Sequence, residues 1–420
     1  MKKINVIGHF GSSSGLGNTT RLFIDVLISN GFCVVGLDVD YHSGVESTLK
    51  SKIPVVTKVD DLPDGLNLIV VAIQLLPVLW LRRFPGLLHP RFINVGLVFW
   101  ELAVVPQAWK PSLQLFDAII VCSHFVRQAL EVALPTVPTI YAEHPLQLNI
   151  ATIRASNLRS SLGLLDSDFV VMSSFDLRSD FSRKNPLAVL DAFELAFPDL
   201  PEARLVIKAN GAQSADKQNS VVARILARAQ SDRRIVLISK TLPYEEVMAL
   251  YMACDVYISL HRAEGLGLGP MEAMAMGKLV IATGYSGNMT YMTQQNSVPV
   301  TYKLIEPAQT GWQYRKRFVG EGAAWAEADQ LSAVRGLQMA FDQPEQRLRL
   351  SQEAQRNIAD RQQTSWAGGY FDEMLTLAGG LAAPDTRKRK SLSRKIAMQE
   401  VLNATLRRKN AQALFERIFN

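Results

Sequence analysis

The sequence predicts an α/β protein of two doubly wound domains followed by a basic helical tail. Three observations predict it. Short β-branched apolar runs alternate with helical patterns along nearly the whole chain, the alternation comes in two successive sets, and the positive charge gathers at the C-terminus. Apolar runs that do not alternate with polar residues suit strands covered on both faces, and so parallel sheets flanked by helices. Two sets imply two such sheets, and 420 residues suffice for two or three domains.

Taken in order, the first set of strands is INVIG, CVVGLDV, LIVVAI, FINVGLVF, AIIVCS and PTIYA. The second is FVVMSS, RLVIKA, RIVLIS, DVYISL and KLVIAT. Helical patterns such as NTTRLFIDVLISNG, PLAVLDAFELAF, YEEVMALYMA and PMEAMAMG lie between them. The polar segment near Asn149 to Leu164 is the expected junction, giving domains over 1–160 and 161–385 with a tail over 386–420. After Gly320 the pattern reads as helical, through AEADQLSAVRGLQMAFD, PEQRLRLSQEAQRNIAD and SWAGGYFDEMLTLAGG. The most membrane-like run, Leu66 to Leu81, is broken by Asn67, Gln74 and Pro77 and reads as a buried strand and a loop.

Composition narrows the function classes. About half the residues are apolar and a fifth charged, as in folded globular proteins. The three cysteines, Cys33, Cys122 and Cys254, are far apart, so neither a disulfide framework nor a structural zinc site is expected and a reducing cytoplasm fits. MKKINVIGHF enters a β pattern directly, so no signal peptide is expected. Residues 387–420 hold ten Lys/Arg against two Asp/Glu, which leaves the remainder of a chain of net charge +6 slightly acidic. One local basic element is therefore expected rather than a nucleic-acid-coating surface.

In open α/β sheets ligands bind beyond the carboxyl ends of the strands. The informative loops are those that follow strands, and HRAEGLGLGPMEAMAMGKLVIAT is one. Gly265, Leu266 and Gly267 allow close backbone approach ahead of a helix N-terminus that offers N–H groups to an anion. Glu264 and Glu272 can each accept two hydrogen bonds from the vicinal hydroxyls of a sugar. A glycine turn with a dipole-matched Glu in the first helical turn explains the same spacing without a ligand. GHFGSSSGLGNTTR follows the first strand and places Gly15 and Gly17 where backbone N–H groups could meet a phosphate or a sugar. Its glycines are not spaced as G-x-G-x-x-G; Asp38 stands where a dinucleotide-binding acid would sit, so a nicotinamide reading stays open. Asp38 and Asp40 also form a D-x-D, readable as a metal–nucleotide site or as the polar end of strand two; the second reading is preferred. Glu101, in NVGLVFWELAVVPQAW, faces the cleft or caps a helix near Pro106. His9, His144 and His261 follow strands and rank below the acids.

EGLGLGPMEAMAMGKLVIAT resembles the E-x7-E signature of glycosyltransferase family 4, and SSFDLRSDFSRKNPLAVLDAF resembles that family's diphosphate-gripping loop. GYSGNMTYMTQQNSVPVTY and WAEAD resemble a branch acting on bacterial surface polysaccharides, although Thr290 stands where many relatives carry an acid. The resemblance implies the GT-B fold of two facing Rossmann-like domains and a retaining transfer from a nucleotide sugar to a glycan or lipid-linked acceptor. By that resemblance Arg178 and Lys184 hold the diphosphate, Glu272 the ribose and Glu264 the donor sugar. Glu101 then stands near the donor sugar and acceptor, and Lys208 near the base. No metal or other cofactor is expected, because two fixed cations can offset the charge of the departing diphosphate. A GT-B sugar-nucleotide epimerase and a non-catalytic nucleotide-binding subunit are the alternatives. The tail carries apolar residues at roughly helical spacing between basic clusters. It fits an anionic membrane surface, placing the protein in the cytoplasm or on the membrane's inner face, or a last helix folded back on the first domain.

Overall fold

The computed structural model describes residues 2–12, 14–39, 52–147, 158–176, 180–210, 220–240, 242–307, 314, 319–380 and 385–399. Its first sheet contains β1 (Lys3–Gly8), β2 (Cys33–Asp38), β3 (Val55–Val56), β4 (Gly65–Val70), β5 (Phe92–Leu97), β6 (Ala118–Val121) and β7 (Thr139–Tyr141). They lie in the order β3-β2-β1-β4-β5-β6-β7, every pair parallel. The second sheet contains β8 (Phe169–Asp176), β9 (Ala203–Asn210), β10 (Ile235–Ile238), β11 (Val256–Ser259), β12 (Leu279–Thr283) and β13 (Val298–Val300), in the order β10-β9-β8-β11-β12-β13, also parallel. Strands such as β6 and β12 are buried along their whole length, which is why their sequences show no polar alternation.

All eleven strands expected from the sequence are present. β3 and β13 were not legible, the first because it has only two residues and the second because Pro299 interrupts it. The reading of everything after Gly320 as helical is corrected by β15 (Trp325–Ala328), which pairs antiparallel with β14 (Tyr302–Ile305). The helix begins only at Gln330, where the Asp329 side chain accepts from Ser332 N–H and fixes the start. The expected junction falls mostly on residues 148–157, outside the described residues.

The helices that position the site are α1 (Gly15–Ser29), α2 (His124–Ala133), α3 (Phe181–Lys184), α4 (Pro186–Ala196), α5 (Tyr244–Ala253) and α6 (Leu268–Ala275). Three further helices follow, α7 (Gln330–Asp342), α8 (Pro344–Ala367) and α9 (Gly369–Gly380). The packing changes sheet well before residue 385, the limit expected from the sequence. Along α8, Gln355 donates to the Ala275 carbonyl of the second domain, whereas Gln362 and Ser365 donate to the His144 and Glu143 carbonyls of the first. In α9, Phe371 packs edge-on to Phe32 at 5.7 Å and Tyr370 on Phe23 at 5.9 Å, both of the first domain. An apolar face at that point binds the nearest uncovered helix, whichever sheet it belongs to.

The chain then returns along the base of the first sheet. Residues 386–399 are helical, and Arg389, Leu392 and Ile396 are buried on the first domain. Arg389 donates to Asp117 at 2.8 Å and to the carbonyls of Leu88, His89 and Phe92. Asp117 in turn accepts from Asn94 N–H at 2.7 Å. Asn94 ends a row of buried amides set by strand register, Asn5 to Asn67 to Asn94, each link 2.8 Å. Arg387, Lys388, Lys390, Arg394 and Lys395 face outward from the same helix. Residues 400–420, the rest of the tail, lie outside the described residues. Among the described residues no helix is long and apolar enough to cross a membrane.

Candidate active site

In each sheet the strand order reverses once, between β1 and β4 in the first and between β8 and β11 in the second. The loops that leave these four strands converge on one cleft, as expected at a topological switch point. Its cavity volume is about 570 Å³. The first domain contributes residues of the β1–α1 turn, the segment after β4, Phe99 and Glu101; the second contributes Lys184, Lys208, Glu264–Pro270 and Glu272.

The second domain supplies a buried ion cluster. Lys184, the last residue of α3, donates to Glu264 Oε1, and Arg183 lies 3.2 Å from Glu264 Oε2. Arg183 also donates to the Ala263 carbonyl at 2.6 Å and reaches Glu101 of the facing domain at 3.4 Å. Burial would raise the Glu264 carboxyl, but Lys184 and Arg183 outweigh it and hold it at about 2. Burial would likewise lower Arg183, and Glu264 and Glu101 hold its guanidinium protonated. These four groups form two cation–anion pairs in one place, the arrangement that makes such burial tolerable.

Glu272 sits on α6 under different conditions. Tyr244 and Tyr251 of α5 donate to its two oxygens at 3.1 and 3.2 Å. Burial nevertheless pushes its carboxyl up to about 7, and among the described residues no cation pairs with it. One cleft therefore holds a glutamate fixed as an anion and another poised near neutrality.

Gly267 takes a left-handed φ of +85° ahead of α6, which favours glycine, and a side chain there would meet the Tyr291 hydroxyl at 2.9 Å. A Cβ on Gly265 would meet the backbone of Trp100 at 3.1 Å, so this glycine lets the two domains touch. Ser123, the N-cap of α2, donates to the Gly265 carbonyl at 2.6 Å, and Thr290 accepts from His124 N–H at 3.1 Å.

Of the residues expected from the sequence, Lys184, Glu264, Glu101, Glu272, Gly265, Leu266, Gly267, Lys208 and Gly15 all line the cleft. Arg178 lies outside the described residues. Gly17 does not line the cleft: the Ser14 side chain takes its N–H, and a Cβ there would strike the Ser12 carbonyl at 2.2 Å. Asp38 is buried at the end of β2, where it accepts from Phe10 N–H at 3.3 Å; Asp40, the other acid of the D-x-D, is outside the described residues. None of the three histidines lines the cleft. His144 is buried against Phe23 and Phe99 with Nε2 2.8 Å from the Thr19 hydroxyl, and burial lowers it to about 4. His261 is buried between Ser259 and Asn288 and is also lowered by burial.

Sequence reasoning missed Arg183, Tyr244, Tyr251 and Arg21. Arg183 was hidden by its neighbour Lys184, although an RKN step closing a helical turn offers two cations rather than one. Tyr244 and Tyr251 stand seven apart, which places both hydroxyls on one face of α5.

Residues 169–304 match the family model described as Glycosyl transferases group 1. No curated protein matches the chain in sequence. Solved structures match it over most of its length. Anabaena Alr3699/HepE, solved with UDP and glucose, is 17% identical with a TM-score of 0.63 over 90% of this chain and 100% of its own. Sucrose-phosphate synthase from Thermosynechococcus elongatus is 15% identical with a TM-score of 0.65 over the same shares. The E. coli trehalose-6-phosphate structure bound with UDP-2-fluoro glucose is 12% identical with a TM-score of 0.62 over 91% and 100%. The chain thus has the GT-B fold of two facing Rossmann-like domains, and its second domain carries the sequence pattern of the group 1 glycosyl transferases.

Proposed function

We propose that this protein is a retaining glycosyltransferase that moves a hexosyl group from a nucleotide-diphosphate sugar to a hydroxyl of a glycan or lipid-linked acceptor. The observation that carries the reading is the pairing of Lys184 with Glu264, in the loop eight residues ahead of Glu272 and just before α6, in the same cleft. A diphosphate at the start of α6 would draw Lys184 toward its oxygens and meet the free N–H groups there. By the resemblance of its loop, Arg178 would hold the same diphosphate. Glu272 would accept from the ribose hydroxyls and Glu264 from those of the sugar, with Lys208 deeper on the base side and Glu101 beside the acceptor.

The bond from the sugar's anomeric carbon to the diphosphate oxygen breaks, and the acceptor oxygen bonds to that carbon on the same face. The acceptor proton leaves on the diphosphate. Lys184 and the α6 N-terminus stabilise the growing negative charge, so no metal is invoked. The uridine nucleotides bound by the HepE and E. coli structures make UDP-glucose the first donor to try. Synthesis of cell-surface polysaccharide at the inner face of the membrane is the setting that fits the basic outward face of residues 386–399 and a lipid-linked acceptor.

A thermal-shift panel of nucleotide sugars with and without Mg²⁺ identifies the donor, because a ligand stabilises in proportion to its affinity. Transfer is then measured for the parent protein, Lys184→Ala and Glu272→Ala, each checked for folding. Loss of transfer in both is expected, and full turnover by either sinks the assignment. Conversion of the donor with no acceptor present would mark an epimerase; binding without turnover would mark a non-catalytic subunit.

A further inference from the structure

The first-domain half of the cleft has a chemistry of its own. Among the described residues its polar lining is Ser14, Asn18, Thr19 and Gln74, groups that suit sugar hydroxyls, and its charged lining is Arg21 and Glu101. Glu101 is matched by Arg183 at 3.4 Å. Arg21 therefore gives this half its net charge.

Arg21 is fixed in place. It projects from the second turn of α1, and its Nη1 donates to the carbonyls of Phe10 at 3.1 Å and Ser12 at 2.8 Å. The β1–α1 turn is thereby wrapped around one corner of the guanidinium. A guanidinium carries five N–H groups, and these two bonds use only those of Nη1. Among the described residues no bond is formed by Nε or Nη2, and no carboxylate pairs with Arg21. The nearest acid on its own helix, Asp25, is taken by Lys52 at 2.9 Å. Partial burial lowers Arg21 from its ordinary value, with Asp25 opposing, so the cation stands in a half-dehydrated wall. A half-buried, pre-oriented guanidinium that lines a cavity and has N–H groups beyond Nη1 to offer suits an oxyanion with two oxygens side by side.

We infer that the acceptor carries an anionic group, a phosphate or diphosphate, which docks on Arg21 while its sugar or hydroxyl end reaches toward Glu101. This rests on the transferase reading above and adds the acceptor's chemical class to it. Free sugar phosphates and polyprenyl phosphates in a bilayer share that chemistry.

The experiment uses the full chain in saturating UDP, so that Lys184 and Lys208 are engaged. Binding is followed by calorimetry for glucose, glucose 6-phosphate and inorganic phosphate. It is followed by sedimentation for phosphatidylcholine vesicles with and without a polyprenyl phosphate. Glucose 6-phosphate or the doped vesicle is expected to bind at least about tenfold more tightly than its uncharged counterpart, and Arg21→Gln to remove that advantage while UDP affinity holds. Which probe gains identifies a soluble or a lipid-borne phosphate. Arg21→Lys, which keeps the charge but loses the fork, is expected to retain part of the gain. Because Arg21 also ties the turn, the comparison among probes on the parent protein stands without any variant. Equal binding of charged and uncharged probes, or an advantage that survives in Arg21→Gln, overturns the inference. Absence of UDP binding by the parent protein would instead overturn the donor reading.

Discussion

Arg183 stands between two carboxylates from opposite walls of the cleft, 3.2 Å from Glu264 of its own domain and 3.4 Å from Glu101 of the facing one. One guanidinium thus joins the second-domain wall of the cleft to the first-domain wall. Lys184 shares Glu264 with it. If a diphosphate takes Lys184, Arg183 remains to keep Glu264 ionised and oriented, so the exchange leaves no unpaired buried charge.

Arg183→Leu is expected to cost about 3 kcal/mol of stability, since removing one partner of a buried ion pair leaves the others uncompensated. Glu101→Gln should cost much less, because Glu264 still matches Arg183. Urea unfolding of the two single variants and the double variant measures the coupling. Independent, additive effects would show that Arg183 and Glu101 do not act as a pair.

Among the described residues, Tyr244 and Tyr251 are the groups that let Glu272 be buried without a cation. Tyr251→Phe keeps the ring in place and removes one donor, so it should destabilise by roughly 1–3 kcal/mol and weaken nucleotide binding. Tyr244→Phe should act in the same direction. Melting temperature and nucleotide affinity measured on both variants check this, and unchanged affinity in both would detach the tyrosines from the ribose site.

How much of this was legible in the sequence follows from physics. The eleven long strands were, because full burial on both faces writes continuous apolar runs. Glu264 and Glu272 were, because their spacing within one strand–loop–helix unit is local, and Lys184 was singled out through the resemblance of its loop. The pairing of Arg183 with Glu101 was not, since nothing in a chain reveals which loops of two domains meet. The hairpin of β14 and β15 was missed because Ala326 and Ala328 read as helix formers until Trp325 and its cross-strand partners fix them. The close packing of Gly17 on the Ser12 carbonyl was not legible, because a glycine near a helix start signals close packing as readily as an anion site.

Glu272 should release a proton when donor binds near neutral pH. Burial holds its carboxyl at about 7, and ribose hydroxyls favour the charged form, which lowers that value. Calorimetry in buffers of different ionisation enthalpy at pH 7 reads the proton directly. The same shift acts on stability. A carboxyl raised on folding contributes stability below its unfolded value, about 4.3, and loses it as pH rises toward 7. Glu272→Gln should therefore gain on the parent by up to about 3 kcal/mol over that window. No proton release and a flat difference would place Glu272 outside the donor site.

His144 has the opposite sign. Burial lowers it to about 4 against an unfolded value of about 6.5, so between these the unfolded chain binds the extra proton. Stability from this group is complete above about pH 6.5 and is lost as pH falls toward 4, on the order of 3 kcal/mol in all. His144→Gln, which can still bond Thr19, should flatten that slope. Urea midpoints at pH 7 and pH 5 for the two proteins decide the matter; parallel falls would assign the acid sensitivity elsewhere.

The helix over 386–399 is held to the first domain by one buried charge. Arg389 pairs with Asp117, whose carboxyl burial still raises above its ordinary value despite that partner, and Asp117 anchors the amide row through Asn94. Arg389→Ala should cost about 3 kcal/mol and release the helix, because Leu392 and Ile396 alone bury too little apolar surface to order 14 residues (386–399). Limited proteolysis then cuts ahead of Arg387 in the variant and not in the parent protein. Adding Asp117→Asn to Arg389→Ala should recover part of the stability by removing the stranded carboxylate, yet leave the helix cleavable. If the single variant resists cleavage as the parent does, the apolar contacts are the anchor and Arg389 is not.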